Sequence, residues 1–95
     1  MKDTVNITSI GCSIGFTISP DLLSKLGIDL GDLVEFEIYE IIKGRDPRPI
    51  SVFMSRKIIT IGGGSKGVTI KTNVAKQFEI QAGDMVGVDV KMEGK

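Results

Sequence analysis

The chain has 95 residues, of which 41% are hydrophobic and 25% charged, with twelve basic and twelve acidic side chains and no histidine. That length provides for one domain with a modest core. A single cysteine, Cys12, excludes an intrachain disulfide, and the missing histidine removes the usual ligands of zinc and the usual general base of Ser-His and Cys-His catalysis.

No stretch approaches the roughly 20 apolar residues that cross a bilayer. The opening MKDTVNITS carries no apolar run of the secretory kind, so a cytoplasmic location without membrane contact is expected. Neither a catalytic residue nor a metal or cofactor site is assigned, and a non-enzymatic protein is expected.

In chain order, a β-rich run from Val5 to Ile10 leads into the loop GCSIG and the short strand FTIS, with Phe16 and Ile18 on one face. A short helix follows. Ser19 is suited to cap it, Pro20 to open it, and Leu22 and Leu26 form its i, i+4 apolar stripe. At Leu30-Gly31-Asp32 the chain reverses; glycine supplies a positive φ and the aspartate can accept from nearby amides. A long alternating strand then places Val34, Phe36 and Ile38 inward between Glu35 and Glu37.

GRDPRP at 44–49 is the expected turn of a hairpin. Beyond it the pattern starts again, with a run from Lys57 to Ile61, the loop GGGSKG, the strand VTIK and a helix bearing Val74 and Phe78. That helix has Lys71 where the first has its serine cap, so it should start less firmly. The turn Ala82-Gly83-Asp84 and the alternating Val86, Val88, Val90 and Met92 complete the second unit.

The two halves are copies. Pairing residues 7–34 with 59–86, at an offset of 52 and without a gap, gives eleven identities in twenty-eight positions, among them Gly11/Gly63, Gly15/Gly67, Gly31/Gly83 and Asp32/Asp84. Repeat one covers about 4–42 and repeat two about 53–93 of a single domain. Neither β-β-α-β unit can bury its apolar face alone. Together they offer six main strands and two short helices, an all-β class able to close into a six-stranded barrel with internal pseudo-twofold symmetry.

Charge is unevenly distributed despite a net charge of zero. Residues 1–42 carry −5, residues 43–66 carry +5, and residues 67–95 balance. Lys43, Arg45, Arg48, Arg56, Lys57 and Lys66 form the basic segment, and all three arginines of the chain lie in it. Such a patch suits phosphate contacts; its plain alternative is a solvated hairpin balanced by Glu35, Glu37 and Glu40 across the strand pair. Phe53 is the single aromatic residue among them, which disfavours base stacking on single strands.

The run FTISPDLLSKLGIDLGDLVEFEI resembles the DNA-binding core of AbrB-like and MazE-like transcription regulators, in which a V-T-I-P strand precedes a short helix ending in L-G-I and then G-D-x-V-E. GVTIKTNVAKQFEIQAGDMVGVDV is similar in a looser form. The resemblance implies a cradle-loop barrel, with both units fused in one chain as in RIFT-related and double-psi members. The central hairpin favours the RIFT-related form, and a monomer is expected. AbrB-like proteins present arginines just before the second strand and on the helix. Here those positions are Gly15 and Gly67, Leu23 and Ser24, and Ala75 and Lys76, so Lys76, with Lys66 beside Gly67, retains the charge. The implied function is DNA binding of transcription-regulator type; with the basic segment read from the charge pattern, the candidate contacts are Lys43, Arg45, Arg48, Arg56, Lys57, Lys66 and Lys76.

A barrel that docks a protein or small ligand is the alternative, and a small-molecule enzyme of RIFT type the third. Three local features have structural readings beside functional ones. GGGSKG offers amides and Lys66 to an anion but lacks the Lys-Ser/Thr of a P-loop, and its favoured reading is a loop that lets the barrel close, as GCSIG does in the other copy. Gly31-Asp32 and Gly83-Asp84 are read as structural turns, and Cys12 as a bland loop residue.

Overall fold

A computed structural model describes residues 2–92, with the backbone alone for Met92. Strand makes up 57% of it, in two antiparallel sheets accompanied by two short helices, so the chain is mainly β. The elements are β1 (Lys2–Asn6), β2 (Thr8–Ile10), β3 (Ser13–Thr17), α1 (Pro20–Leu26), β4 (Leu33–Lys43), β5 (Asp46–Lys57), β6 (Ile59–Ile61), β7 (Ser65–Thr69), α2 (Thr72–Gln77) and β8 (Met85–Met92). One sheet has the order β1-β8-β4-β5 and the other β2-β3-β7-β6. Among the described residues, no helix is long and apolar enough to cross a membrane.

Two isoleucines carry the chain from one sheet to the other. Ile7 separates β1 from β2, and Ile58 separates β5 from β6; both are buried. Each is held by the Gly-Asp turn of the opposite copy. The Ile7 amide donates to the Asp84 carbonyl and the Gly83 amide donates to the Ile7 carbonyl, at 2.8 and 2.9 Å. The Ile58 amide and the Gly31 amide repeat this with Asp32 and Ile58, both at 2.9 Å. A positive φ at Gly31 (89°) and Gly83 (98°) turns these amides toward their acceptors. Within each turn the aspartate carboxylate accepts from the amide three residues earlier, Asp32 from Asp29 and Asp84 from Gln81. These turns therefore interlock the two copies.

The strand pairs modify the ungapped match of the halves. Ile10 pairs with Ser13 around a two-residue turn, Gly11-Cys12, whereas Ile61 pairs with Ser65 around three glycines. Ile7 thus corresponds to Ile58, not Ile59, and the offset is 51 before the glycine turn and 52 after it. One additional glycine, Gly63 or Gly64 at positive φ, accommodates the extra residue.

The central hairpin is also tighter than the six residues 44–49. Lys43 pairs with Asp46, so the turn is Gly44-Arg45 alone, and β5 begins at Asp46. Pro47 and Pro49 lie inside this strand. Counting from the closing pair, both fall in non-hydrogen-bonded positions of the outermost strand, where the missing amide hydrogen is not needed. The acidic residues of β4 do not face Arg56 and Lys57 either. Their direct partners are Ser55 for Glu35, Phe53 for Glu37 and Pro49 for Glu40, while Arg56 lies opposite Val34 and Lys57 opposite Leu33.

The core fills the space between the sheets. Val34, Phe36 and Ile38 of β4 and Val86, Val88 and Val90 of β8 meet Phe16, Val68 and Ile70 from the other sheet, all essentially inaccessible to water. Phe16 and Phe36 stack edge to face with centroids 5.3 Å apart. The two helices differ as their caps lead one to expect. Ser19 accepts from the Leu22 amide at 3.2 Å, and α1 buries Leu22 and Leu23. α2 has no side-chain cap and buries no residue fully.

Candidate nucleic-acid interface

The seven basic positions divide into two ends of the molecule. Arg45 occupies the tip of the β4–β5 hairpin, and Arg48 lies three residues on, opposite Ile41; both are exposed. Lys43 closes the hairpin. Its ammonium donates to the Asp84 carboxylate at 2.7 Å and to the Glu79 carbonyl at 2.6 Å, so the hairpin base is fastened to the chain just beyond α2. Lys76, exposed in the last turn of α2, lies three residues from that contact. Lys43, Arg45, Arg48 and Lys76 thereby belong to one end.

Arg56 and Lys57 are at the other end of β5. Eight residues of strand separate Arg48 from Arg56, roughly 26 Å at 3.3 Å per residue, against a longest molecular dimension of 33 Å. Arg56 shares the inward face with Val34 and is half-buried. Its guanidinium donates to the Thr69 carbonyl at 3.1 Å and to the Thr69 hydroxyl at 2.7 Å, bridging β5 to β7 across the gap between sheets. Lys66, half-buried on β7, is ion-paired with Asp29 at 2.5 Å. Lys57 is exposed beside Leu33, apart from the hairpin tip. The structure therefore gives Arg56 and Lys66 internal partners and leaves Arg45 and Arg48 exposed at the hairpin end, with Asp46 between them, and Lys57 exposed at the far end.

The positions corresponding to the regulators' strand arginines have a different use here. Gly15 and Gly67 flank the β3–β7 contact, where a Cβ on either would overlap the opposite strand's backbone: the Val68 carbonyl for Gly15, the Phe16 carbonyl for Gly67. No side chain of any kind fits without separating the strands.

The glycine loop likewise serves β6 and β7. Gly63 and Gly64 have φ of 77° and 83°, and Lys66 is directed to Asp29. Phe53 is 58% exposed on the outer sheet face, with the Lys91 ammonium 5.2 Å from its ring centroid. Cys12 is exposed in the β2–β3 turn. Among the described residues, no cluster of acidic and cysteine side chains has the arrangement of a metal site.

Electrostatics at the hairpin base carry a pH signature. Burial acts to raise the Asp84 carboxyl, but the Lys43 hydrogen bond, the Gln81 amide and the Lys43 charge outweigh it and hold the group below its ordinary value of 3.8. A carboxyl depressed in the folded state adds stability that is complete above its unfolded value and is lost as pH falls through the folded one. Lys43→Met is therefore expected to cost about 0.5–1 kcal/mol at pH 7. The part owed to Asp84 should begin to fade below pH 3.8 and be lost as pH falls through the lower folded value, leaving the part owed to the Glu79 carbonyl. Urea midpoints of both proteins from pH 7 to pH 2 check this; a pH-independent difference would contradict the pairing.

Sequence reasoning left Glu79 unassigned and gave Ala75 only a helix position without charge. Both carry a signal visible on pairing the halves: Glu79 replaces Gly27 at a left-handed helix end, with φ of 56°, and Ala75 replaces Leu23. No known family, curated protein or solved structure matches the chain.

Proposed function

We propose that this chain is a small DNA-binding protein of transcription-regulator type, similar to AbrB-like regulators, that contacts duplex phosphates through its central hairpin. The observation that carries the reading is the exposed pair Arg45 and Arg48 on a hairpin whose base is fastened to the chain beyond α2 by Lys43. Guanidinium groups held on a rigid arm make phosphate contacts at little ordering cost. Lys76 adds a fourth cation at the same end. Arg56 and Lys66 are left out of the interface, because their bonds to Thr69 and Asp29 already fix them.

The reading extends to the scaffold. The runs β1–β2 and β5–β6 each pair with one neighbour in either sheet, which supports a single closed barrel of six strands. The central connection is a hairpin, which supports the RIFT-related order over the double-psi form. Interlocking Gly-Asp turns within one chain support a monomer. A gel mobility shift with mixed-sequence duplex at low salt tests the function. Retardation should be seen with the native protein and be lost in Arg45→Ala/Arg48→Ala, and no retardation of any duplex at low ionic strength overturns the proposal.

A further inference from the structure

An open cleft of about 380 Å³ lies between the β2–β3 turn and α2. Its floor is apolar, formed by Ile14, Ile70, Ala75 and Ile80. The other lining residues include four that carry donors, Ser13, Thr72, Gln81 and Lys76, against Glu79 as the one acid.

Pseudo-symmetry supplies an internal control. The matching cleft in the other copy, beside α1 and the β6–β7 turn, measures about 170 Å³. Leu23 stands there in place of Ala75 and is buried. Lys66 stands in place of Ile14 and is tied to Asp29, the counterpart of Gln81, so the two walls are joined by an ion pair. In the larger cleft Ile14 and Gln81 cannot make that tie. Its edge is also formed by a strained residue, Glu79 at φ 56°, where α1 ends in glycine. A left-handed conformation is unfavourable for a residue that carries a side chain. The Lys43 bond to its carbonyl helps to hold it. One copy thus fills the space that the other keeps open.

We infer that the cleft beside α2 is a binding site for a small amphiphilic anion, an aromatic body bearing one carboxylate. The ring lies on Ile14, Ile70, Ala75 and Ile80, and the carboxylate meets Lys76 and the hydroxyl donors of the lining. The volume of about 380 Å³ is more than twice the roughly 150 Å³ of a cavity that takes benzene, so a two-ring body fits. Among the described residues, no side chain pairs with the Lys76 ammonium, which leaves its charge for a ligand. The cleft shares Lys76 with the proposed DNA-contacting end, so Ala75→Leu, which leaves every cation in place, is the variant expected to weaken the small anion and spare duplex binding.

Titration of ¹⁵N-labelled protein with 2-naphthoate, and with 2-naphthamide as the neutral control, tests it. Saturable shifts are expected at the amides of Ser13, Ile14, Ala75 and Ile80. Ala75→Leu, which installs the residue of the closed cleft, should weaken naphthoate by about tenfold or more, equivalent to about 1.4 kcal/mol, without lowering the melting temperature. Ala75→Met serves the same purpose should the leucine variant fail to fold. Lys76→Gln should weaken naphthoate about threefold and leave naphthamide unchanged. Absence of saturable shifts at millimolar naphthoate, undiminished binding to the filled variants, or equal loss of both probes in Lys76→Gln would overturn the inference.

Discussion

Gly67→Ala is expected to destabilise the fold by about 3 kcal/mol or more, a large effect for adding one methyl group. The reason is the β3–β7 crossing. Phe16 pairs with Val68 there, and Gly15 and Gly67 lie symmetrically on either side of that pair, opposite Thr69 and Thr17. A Cβ at 67 would overlap the Phe16 carbonyl and the Ile61 side chain; one at 15 would overlap the Val68 carbonyl and the Ile10 side chain. A side-chain tip can rotate away, but a carbonyl in a ladder cannot move without parting the strands. Gly11→Ala makes a suitable comparison. Gly11 has φ of 59° and open space around a would-be Cβ, so its cost is limited to backbone conformation, about 1 kcal/mol. Denaturant melts of the three proteins should rank Gly67→Ala as the most damaging. Equal costs at 67 and 11 would mean that β3 and β7 do not approach as closely as described.

Phe36→Ala should cost about 3–5 kcal/mol, the range for truncating a fully buried aromatic residue. Phe36 is 0% exposed on β4, and its ring meets the edge of Phe16 on β3, at an interplanar angle of 87°. These strands belong to different sheets, so the pair joins the two layers at the centre of the core. A double-mutant cycle with Phe16→Leu should give a coupling of about 0.5–1.5 kcal/mol beyond the loss of buried area. Additive losses would show that the ring contact contributes packing area and nothing more.

The repeat, the helix caps and the inward alternation of β4 and β8 were legible because each is a local pattern: Ser19 before Pro20, glycine before aspartate, valine at every second residue. Identity of residue types misled at Ile59 and Thr60, which match Ile7 and Thr8 by letter. The structural counterpart of Ile7, buried and hydrogen-bonded to a Gly-Asp turn in the same way, is Ile58, and the length of a glycine turn decided the register. Charge was the least legible property. Arg56 and Lys66 read as surface cations in one dimension, yet folding places a threonine and an aspartate from distant strands and loops against them. The open cleft beside α2 follows from differences between the copies, Ala75 for Leu23 and Ile14 for Lys66, rather than from any motif.

Salt dependence of duplex binding addresses the proposed function most directly. The slope of log K against log salt concentration reports how many phosphates are contacted, falling by about 0.9 in magnitude for each contact removed. If Arg45 and Arg48 each engage a phosphate, Arg45→Ala/Arg48→Ala should flatten that slope by about 1.8, while Lys57→Ala, at the far end of β5, should leave it unchanged. A native protein that shows no duplex affinity at low salt, or a double variant whose slope equals the native one, would contradict DNA binding through the hairpin.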